Sequence, residues 1–308
     1  MKIEDGKDYV GFGVGIVNRY TRNRVLHMKD TILGLMSAVK HMHSNPSLKY
    51  RHNAHVIRAQ AYDAGIRVFD TARIYGFSEY ELGLALKQFP RNEVFICTKV
   101  SDMDLTREGG AATVRGNLEK SLSDIGTEYV DLYLLHWPVG KWIEMYAEMD
   151  ELYKEGLTKT IGVCNFTVDN FIELERHPEL TRPQFCQIEC HPLFGNNCVV
   201  AYCEKNNIKI LAHTPTGRMS VDTRNNEVLN AIAQEHNKTV AQIILRWHIQ
   251  HKRLPITHTK NPTHIKDNAS VLGFSLTEDQ MRRIDSLDCG KRLFKTVGID
   301  NPNYKYNK

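Results

Sequence analysis

The sequence has no hydrophobic run long enough to cross a membrane. No stretch of about 18 consecutive apolar residues occurs in the chain, whereas a transmembrane helix needs about 20. The first residues, Met1-Lys2-Ile3-Glu4-Asp5-Gly6, also lack the apolar core of a secretory signal peptide. We therefore expect a cytoplasmic protein without a membrane partner.

The sequence also lacks a strong charge of either sign. Its 40 basic and 36 acidic residues leave a formal net charge of +4, and the two signs are interspersed. A nucleic-acid-binding domain usually carries a concentrated basic surface. We therefore expect no nucleic-acid partner, and the small positive charge does not by itself identify an anionic ligand.

Cysteines are few and show no paired pattern. The chain has seven, an odd number scattered through predicted strands and helices, which indicates reduced thiols and not a disulfide framework. Cys186 and Cys190 lie an even number of residues apart on one predicted strand and so share a face. A zinc site there is the less favoured alternative, and we predict no metal.

Features that would divide the chain or indicate a doubly wound nucleotide fold are missing as well. Without a low-complexity tract or a composition break, residues 1–308 are predicted to form a single domain. No Gly-x-Gly-x-x-Gly motif follows a strand, because the glycines of Gly11–Gly15 have the wrong spacing. A Rossmann-type dinucleotide domain is therefore not expected.

The sequence does contain a regular alternation of short apolar strands and helical patterns. Strands that are apolar on both faces are typical of a buried parallel sheet, and eight alternating units predict an α/β protein of the closed (β/α)8 TIM barrel type. The predicted strands are Gly11–Gly15, Ile66–Phe69, Val94–Thr98, Val130–Leu135, Lys159–Val163, Phe185–Glu189, Ile208–Ala212 and Leu254–Thr257.

Two segments fall outside this alternation. Residues 18–53 are predicted to be an insertion, with a helical pattern of apolar residues from Ile32 to Met42 and many basic residues and histidines. Because a loop of this length is uncommon unless it is functional, it is either a solvated decoration or a lid, substrate wall or subunit contact. Residues 291–308 form a C-terminal tail that contains Phe294.

Chemically active side chains follow three consecutive predicted strands. Asp70 follows Ile66–Phe69, with Tyr75 in the next loop; Lys99 and His136 follow the next two strands. In a parallel barrel these strand ends share one mouth, where catalytic residues lie. Each residue has a structural alternative, such as a turn cap, rim packing or a core ion pair. Their joint occurrence at consecutive strand ends favours a catalytic group.

At these residues the sequence resembles the aldo-keto reductase superfamily. The resemblance covers roughly Gly11 to Asp288 and depends on several motifs in a fixed order. The motifs are Asp-Thr-Ala-x-x-Tyr-Gly-x-Ser-Glu-x-x-Leu-Gly at residues 70–83, Thr98-Lys99, Leu135-His136-Trp137-Pro138, Ile161-Gly162-Val163-Cys164-Asn165-Phe166 and Gln187-Ile188-Glu189-Cys190-His191-Pro192.

The resemblance implies hydride transfer between a nicotinamide cofactor and a carbonyl or alcohol substrate, which is an aldehyde, ketone or sugar. Tyr75 would be the general acid and base. Because the unperturbed pKa of tyrosine is about 10, Lys99 would lower it, and Asp70 would hold Lys99 in place. His136 would hydrogen-bond the substrate oxygen and share the proton, and Trp137 would line the substrate pocket.

The resemblance also assigns the nicotinamide end of the cofactor site, where this chain departs from the family. Asn165 and Gln187 would hold the carboxamide, while Cys164, a weaker hydrogen-bond donor, replaces a neighbouring serine. The aromatic residue that usually stacks on the nicotinamide is replaced by His213, which could stack as a neutral imidazole. Protonation of His213 near neutral pH would make the cofactor preference depend on pH.

The adenosine end departs further. Relatives that prefer NADPH carry Ile-Pro-Lys-Ser, then an arginine, then Glu-Asn. The lysine and arginine that would meet the 2′-phosphate are histidines here, and histidine is mostly neutral at pH 7. We predict NADP(H), with NAD(H) as the alternative. The residues at this end are His258, Thr259, His264, Asp267 and Asn268.

Two other classes of protein stay open at this point. One is a regulatory subunit that keeps the barrel and the cofactor site but turns over slowly, as the potassium-channel β subunits of this family do. The other is a different (β/α)8 enzyme, an isomerase or aldolase, in which Lys99 would form a Schiff base. The expected oligomeric state is a monomer or a small homo-oligomer.

Overall fold

Eight parallel strands form a closed barrel in chain order. The structure is a computed structural model, and it describes residues 34–36, 58–106, 111–259 and 261–294. The strands are β1 Gly34–Met36, β2 Val68–Asp70, β3 Phe95–Val100, β4 Leu132–Leu135, β5 Ile161–Cys164, β6 Phe185–Glu189, β7 Lys209–His213 and β8 Leu254–Thr257.

Helices follow the strands and surround the barrel. A helical segment at residues 58–63 precedes β2. The other α-helices of the described residues are Ser78–Leu86, Asp102–Thr106, Val114–Ile125, Trp142–Glu155, Val168–Leu174, Asn197–Lys205, Val221–Arg224, Glu227–His236, Val240–Gln250, Pro262–Ala269 and Glu278–Asp285. Short 3-10 helices occur at Arg91–Glu93, Gly217–Met219 and Ser270–Gly273.

The strands are apolar on both faces because both faces are buried. On β4, Leu132 and Leu134 belong to the cluster inside the barrel, while Tyr133 and Leu135 pack in the larger cluster between the strands and the helices. Side chains alternate along a strand, so every second residue fills the barrel. The interior of the barrel is therefore filled by side chains and is not a pore.

Local sequence signals set many of the helix ends. A threonine side chain accepts a hydrogen bond from a backbone N–H at four helix starts, which satisfies a group that the helix leaves unpaired. Gly126 and Gly156 end their helices in the left-handed conformation, with φ of 74° and 87°, which glycine adopts most easily. The four capping residues are Thr113, Thr167, Thr239 and Thr277.

The first barrel strand does not lie where the sequence predicted it. Gly34 of β1 pairs with Val68 of β2 and with Ile256 of β8, so β1 takes the place that the prediction gave to Gly11–Gly15. β1 lies inside the segment 18–53, so the helix predicted from Ile32 to Met42 is wrong at residues 34–36. A short apolar run cannot be assigned to a strand or a helix by periodicity alone. The rest of that segment, and Gly11–Gly15, lie outside the described residues.

The other seven strands lie within two residues of their predicted bounds, so the closed (β/α)8 architecture is confirmed. No helix in the described part of the chain is long and apolar enough to span a membrane. Of the predicted tail, residues 291–294 are described, and the remaining tail residues lie outside the described ranges.

Candidate active site

A buried ion pair occupies the mouth between β2 and β3. Lys99 Nζ lies 2.5 Å from Asp70 Oδ2 and donates a second hydrogen bond of 2.7 Å to the carbonyl oxygen of Thr71. Asp70 and Lys99 are 1% and 0% exposed, so water does not screen the pair. The parallel register, which pairs Asp70 with Cys97, sets the side chain of Lys99 against the end of β2.

The charge state of this pair follows from its surroundings. Burial alone would lower the pKa of Lys99, but the carboxylate of Asp70 and the hydroxyl of Tyr75 raise it above its ordinary value. Lys99 is therefore an ammonium ion at neutral pH. A buried charge of this kind is tolerated because a partner and hydrogen-bond acceptors surround it.

The loop that carries Tyr75 is held by hydrogen bonds among polar side chains, most of which are buried. Glu79 accepts hydrogen bonds from Thr98 Oγ1 at 2.6 Å and from Arg73 Nη1 at 2.6 Å, and Thr71 donates to Ser78 Oγ at 2.8 Å. These contacts hold both ends of the short connection between β2 and the helix Ser78–Leu86. The loop that positions the Tyr75 ring is therefore held at both ends by hydrogen bonds.

Tyr75 and His136 meet above the ion pair. The hydroxyl of Tyr75 lies 3.3 Å from His136 Nε2, the two rings are nearly perpendicular at 81°, and Lys99 Nζ lies 5.3 Å from the centre of the Tyr75 ring. The four residues singled out in the sequence therefore form one cluster with Asp70 at its base.

Burial and Lys99 act in opposite directions on the pKa of Tyr75. Burial raises the pKa of Tyr75, and the opposing effect of Lys99 does not offset it, so the pKa lies above its ordinary value. Lys99 thus acts on Tyr75 in the predicted direction, but burial has the larger effect. Tyr75 is a protonated phenol at neutral pH, the form that can donate a proton.

His136 is held by its backbone and is neutral. Its N–H donates 2.8 Å to the carbonyl of Val100, and its own carbonyl accepts from Asn165 Nδ2 at 3.1 Å. Burial, with smaller effects of Lys99 and His213, lowers the pKa of the His136 ring well below its ordinary value. The ring of Trp137 stacks beside it, with centroids 6.2 Å apart and planes 25° from parallel.

A hydrogen-bond chain fixes the tautomer of His213. Since the carbonyl of His136 can only accept, the amide nitrogen of Asn165 faces it, and the amide oxygen of Asn165 faces His213 Nε2 at 3.0 Å. His213 Nε2 therefore carries the proton, and Nδ1 accepts from the hydroxyl of Thr214 at 3.3 Å.

Burial also determines the charge of the His213 ring. Burial lowers the pKa of His213 to about 3, so the ring is neutral throughout the physiological range. The hypothesis that its titration makes cofactor preference depend on pH near neutrality is therefore wrong. A neutral imidazole offers a flat surface for another ring.

Gln187 lies on the inner face of β6 and contacts the ion pair directly. Its Nε2 donates a hydrogen bond of 2.8 Å to Asp70 Oδ1, and the register of β5 and β6 places it opposite Cys164. Cys164 is fully buried, and burial raises the pKa of its thiol. It is therefore an uncharged, weak hydrogen-bond donor next to the amide.

A second group of predicted residues lies after β8. His258 and His264 are exposed, while Thr259, Asp267 and Asn268 are half-buried. Within this group, Thr259 Oγ1 lies 3.5 Å from His264 Nδ1, and Asn268 Nδ2 lies 3.5 Å from Thr257 Oγ1. Three of the five residues lie on the helix Pro262–Ala269, and the other two directly follow β8.

The residues at the mouth fit a nicotinamide by their chemistry. A primary carboxamide needs both donors and acceptors, and the amides of Asn165 and Gln187 supply both kinds. Gln187 gives one amide hydrogen to Asp70, which leaves its second hydrogen and its Oε1 for a ligand. The neutral ring of His213 is the flat surface beside them.

Sequence reasoning missed the residues that support the mouth. Glu189 was included in a motif but given no role, although it lies two residues after Gln187 and therefore on the same face of β6. It is 1% exposed and accepts hydrogen bonds from the backbone of Leu293 and Phe294. Strand alternation would have revealed its position, whereas nothing in the sequence indicates its partners.

Among the described residues, no group of three or more His, Cys, Asp or Glu side chains is arranged to hold a metal. The thiol of Cys190, one of the two cysteines considered for zinc, is 3.2 Å from Arg253 Nη1, and a cation at that distance would oppose a metal ion. All seven cysteines are free thiols.

A buried lysine–aspartate pair thus lies beneath a tyrosine and a histidine at the mouth of a closed parallel barrel, the end at which enzymes of this fold carry their active sites. The model of the Aldo/keto reductase family matches residues 32–288. The chain belongs to this family and is an NAD(P)H-dependent oxidoreductase. The match begins two residues before β1, which agrees with the position of the first strand.

Curated relatives and a solved structure agree with this assignment. Glyoxal reductase of Bacillus subtilis is 37% identical over 74% of this chain and 81% of the relative. Methylglyoxal reductase DkgA of Escherichia coli O157:H7 is 36% identical over 78% and 87%. The crystal structure of MGS-M4, an aldo-keto reductase enzyme from a Medee basin deep-sea metagenome library, has a TM-score of 0.77 at 34% identity, covering 88% of this chain and 96% of that one.

Proposed function

We propose that the protein reduces the carbonyl group of a small aldehyde or ketone and that Tyr75 donates the proton. The observation that supports this most directly is the 3.3 Å contact between the Tyr75 hydroxyl and His136 Nε2, above the buried pair of Lys99 and Asp70. These two polar atoms mark one point at the mouth where a carbonyl oxygen would receive hydrogen bonds.

Each side chain has a separate part in the proposed step. A reduced nicotinamide held by Asn165 and Gln187 would supply the hydride to the carbonyl carbon. The carbonyl oxygen then takes the electron pair of the broken π bond and receives the hydroxyl proton of Tyr75. Lys99 stabilises the negative charge that develops on Tyr75, and Asp70 keeps Lys99 charged and in place.

His136 acts in this proposal as a neutral hydrogen-bonding group. Its lowered pKa leaves little imidazolium at neutral pH, so it orients the carbonyl oxygen and Tyr75 remains the acid. Trp137, stacked beside His136, forms a wall of the substrate pocket. The reverse reaction, alcohol oxidation, requires the phenolate of Tyr75, which the raised pKa disfavours at neutral pH.

The names of two relatives support a proposal for the substrate class. Curated relatives of 36–37% identity are named for reduction of glyoxal and methylglyoxal, and we propose small dicarbonyls of this kind as substrates. We propose NADPH as the preferred cofactor on the family resemblance. NADH is the competitor, because His258 and His264 replace the two cations that would meet a 2′-phosphate. Both histidines are exposed and can donate hydrogen bonds there.

The structure disfavours a Schiff-base enzyme. A nucleophilic lysine must be a neutral amine, whereas the pKa of Lys99 is raised because Asp70 outweighs the effect of burial. Lys99 is also fully buried beneath Tyr75. A carbonyl substrate would therefore meet the hydroxyl of Tyr75 before it met the ammonium group.

The proposal is tested by mixing the purified protein with NADPH or NADH and following the loss of nicotinamide absorbance with glyoxal, methylglyoxal and a simple aldehyde. Steady turnover with a dicarbonyl supports the proposal, and the ratio of the two rates gives the cofactor preference. Tight cofactor binding without turnover of any carbonyl would contradict it and favour the regulatory-subunit alternative.

A further inference from the structure

Glu189 is a buried carboxylate at the last position of β6. Its Oε1 accepts the backbone N–H of Leu293 at 2.6 Å, and its Oε2 accepts that of Phe294 at 3.0 Å. His191 Nε2 lies 3.2 Å from Oε1, and Arg292 Nε lies 3.9 Å from Oε2. A buried carboxylate needs such donors, because each unmet oxygen carries a desolvation cost.

Two of these donors come from the far end of the chain. Leu293 and Phe294 are 104 and 105 positions beyond Glu189, so the carboxylate is satisfied only while the carboxy-terminal segment Lys291–Phe294 lies on the barrel. Burial alone would raise the pKa of Glu189, but the bonds from His191 and the two amides lower it. The contacts are therefore charge-assisted and stronger than neutral hydrogen bonds.

The docked segment places an aromatic ring against the cofactor side of the mouth. The ring of Phe294 meets His213 nearly at right angles, at 86°, with centroids 5.2 Å apart. Arg218 belongs to the 3-10 helix Gly217–Met219, which follows β7. Its Cζ lies 4.4 Å above the centre of the Phe294 ring. Lys291 forms an ion pair with Asp222 of the same region.

We propose that Glu189 is a positioning residue that anchors the segment Lys291–Phe294 to the barrel mouth and thereby sets Phe294 against His213. The effect on cofactor binding rests on the proposed function, in which His213 lies beside the nicotinamide. Without the anchor, Phe294 no longer supports the His213 ring and the cofactor complex weakens. The contact of Tyr75 with His136 does not involve the segment, so turnover at saturating cofactor changes little.

The anchor is tested first by hydrogen exchange of the protein without cofactor. In Glu189→Gln, one amide faces a side-chain NH2 in place of a carboxylate oxygen, so the peptide amides of Leu293 and Phe294 should exchange at least about tenfold faster. Glu179→Gln, which changes an exposed carboxylate beside His177, is the matched control and should leave this exchange unchanged. Wild-type exchange in Glu189→Gln would overturn the anchor.

A second variant covers the possibility that Glu189→Gln does not fold. Leu293→Pro removes one of the two donating N–H groups and leaves the barrel strands untouched. The peptide amide of Phe294 should again exchange faster than in the wild type. Retained protection in this variant would overturn the anchor equally, because it would mean that the carboxylate contacts do not hold the segment.

The effect on the site is tested by cofactor titration and steady-state kinetics. Glu189→Gln and Phe294→Ala should each raise the cofactor Kd roughly five- to tenfold, with kcat at saturating cofactor within about twofold. Because both act through one contact, the double variant should bind no more weakly than Phe294→Ala alone. Additive losses, or tighter binding by Phe294→Ala, would overturn the positioning role.

A wild type that binds neither cofactor would overturn the proposed function. The hydrogen-exchange result would still decide whether Glu189 anchors the segment Lys291–Phe294.

Discussion

Gln187 Nε2 donates a hydrogen bond of 2.8 Å to Asp70 Oδ1, while Lys99 Nζ lies 2.5 Å from the other oxygen of the same carboxylate. One carboxylate thus joins the amide proposed to hold the cofactor to the group proposed to move the proton. Because all three side chains are at most 2% exposed, a change at Asp70 must affect both halves of the site.

The substitution Asp70→Asn should destabilise the protein and inactivate it. It leaves the ammonium of Lys99 buried without its counter-charge, and breaking one side of a buried ion pair costs about 3–5 kcal/mol. Without the carboxylate of Asp70, which is the largest effect opposing burial, the pKa of Lys99 falls. Urea unfolding measures the free energy, and Asp63→Asn, at an exposed position, is the matched control. A loss below about 1 kcal/mol would mean that the pair contributes little.

The substitution Tyr75→Phe should abolish most reduction and spare cofactor binding. It removes the proposed proton donor but keeps the ring that packs edge-on against His136. We expect kcat/KM to fall by about 10²–10⁴, the usual contribution of a general acid, with the cofactor Kd unchanged. The rates are measured with the best dicarbonyl substrate.

The matched control for this prediction is Tyr80→Phe. Tyr80 is 49% exposed on the helix Ser78–Leu86, so the loss of its hydroxyl should change neither rate nor affinity. Tyr75→Phe activity within tenfold of wild type would assign the proton donor to another group. A parallel loss in Tyr80→Phe would point to damage of the helix and not to chemistry.

Much of the barrel could be predicted because each buried strand carries its own signal. Phe185–Glu189 and Leu254–Thr257 have the predicted bounds, since each is a short, largely apolar segment that ends in a polar residue. Gly34–Met36 could not be assigned in this way, because it lies in a longer apolar pattern that also fits a helix. Its pairing with β2 and β8 is a long-range property of the closed barrel.

The candidate site was predictable where residue type and strand end coincide. Asp70, Lys99 and Gln187 converge because parallel strands bring their C-terminal ends to one mouth. The charge states were not predictable, because the balance between burial and a charged neighbour depends on distance. Tyr75 shows this: Lys99 lies close enough to lower its pKa, yet burial outweighs it.

The two histidines at the proposed adenosine end should control the choice between NADPH and NADH. Replacing the exposed His258 by lysine and His264 by arginine adds permanent charge, and a hydrogen bond to a charged group contributes about 1.5–3 kcal/mol. We therefore expect the double variant to bind NADPH at least about tenfold more tightly and NADH with unchanged affinity. Quenching of tryptophan fluorescence gives both constants.

Thr263→Lys provides the control for charge alone. Thr263 is exposed at the start of the same helix, so its replacement adds a positive charge nearby without restoring either family position. An equal gain in Thr263→Lys would show that general attraction explains the effect. An equal gain for NADH would show that the two histidines do not face a 2′-phosphate.

Protonation of histidines that the fold keeps neutral should destabilise the protein in acid. Burial lowers the pKa of His213 to about 3 and that of His136 and His248 well below the ordinary value. In the unfolded chain these rings regain a pKa of about 6.5, so the unfolded state binds more protons as the pH falls. The stabilisation is therefore complete above about pH 6.5 and is lost progressively below it.

The size of this effect for one ring can be isolated with His213→Gln. Each histidine that stays neutral only in the fold contributes a slope of about 1.4 kcal/mol per pH unit, and for His213 this slope extends from about pH 6.5 down to about pH 3. Urea unfolding of the cofactor-free protein at pH 7, 6, 5 and 4 measures it. His213→Gln should flatten the curve by this amount. Parallel curves for wild type and His213→Gln would mean that His213 is already protonated, or solvated, in the folded protein.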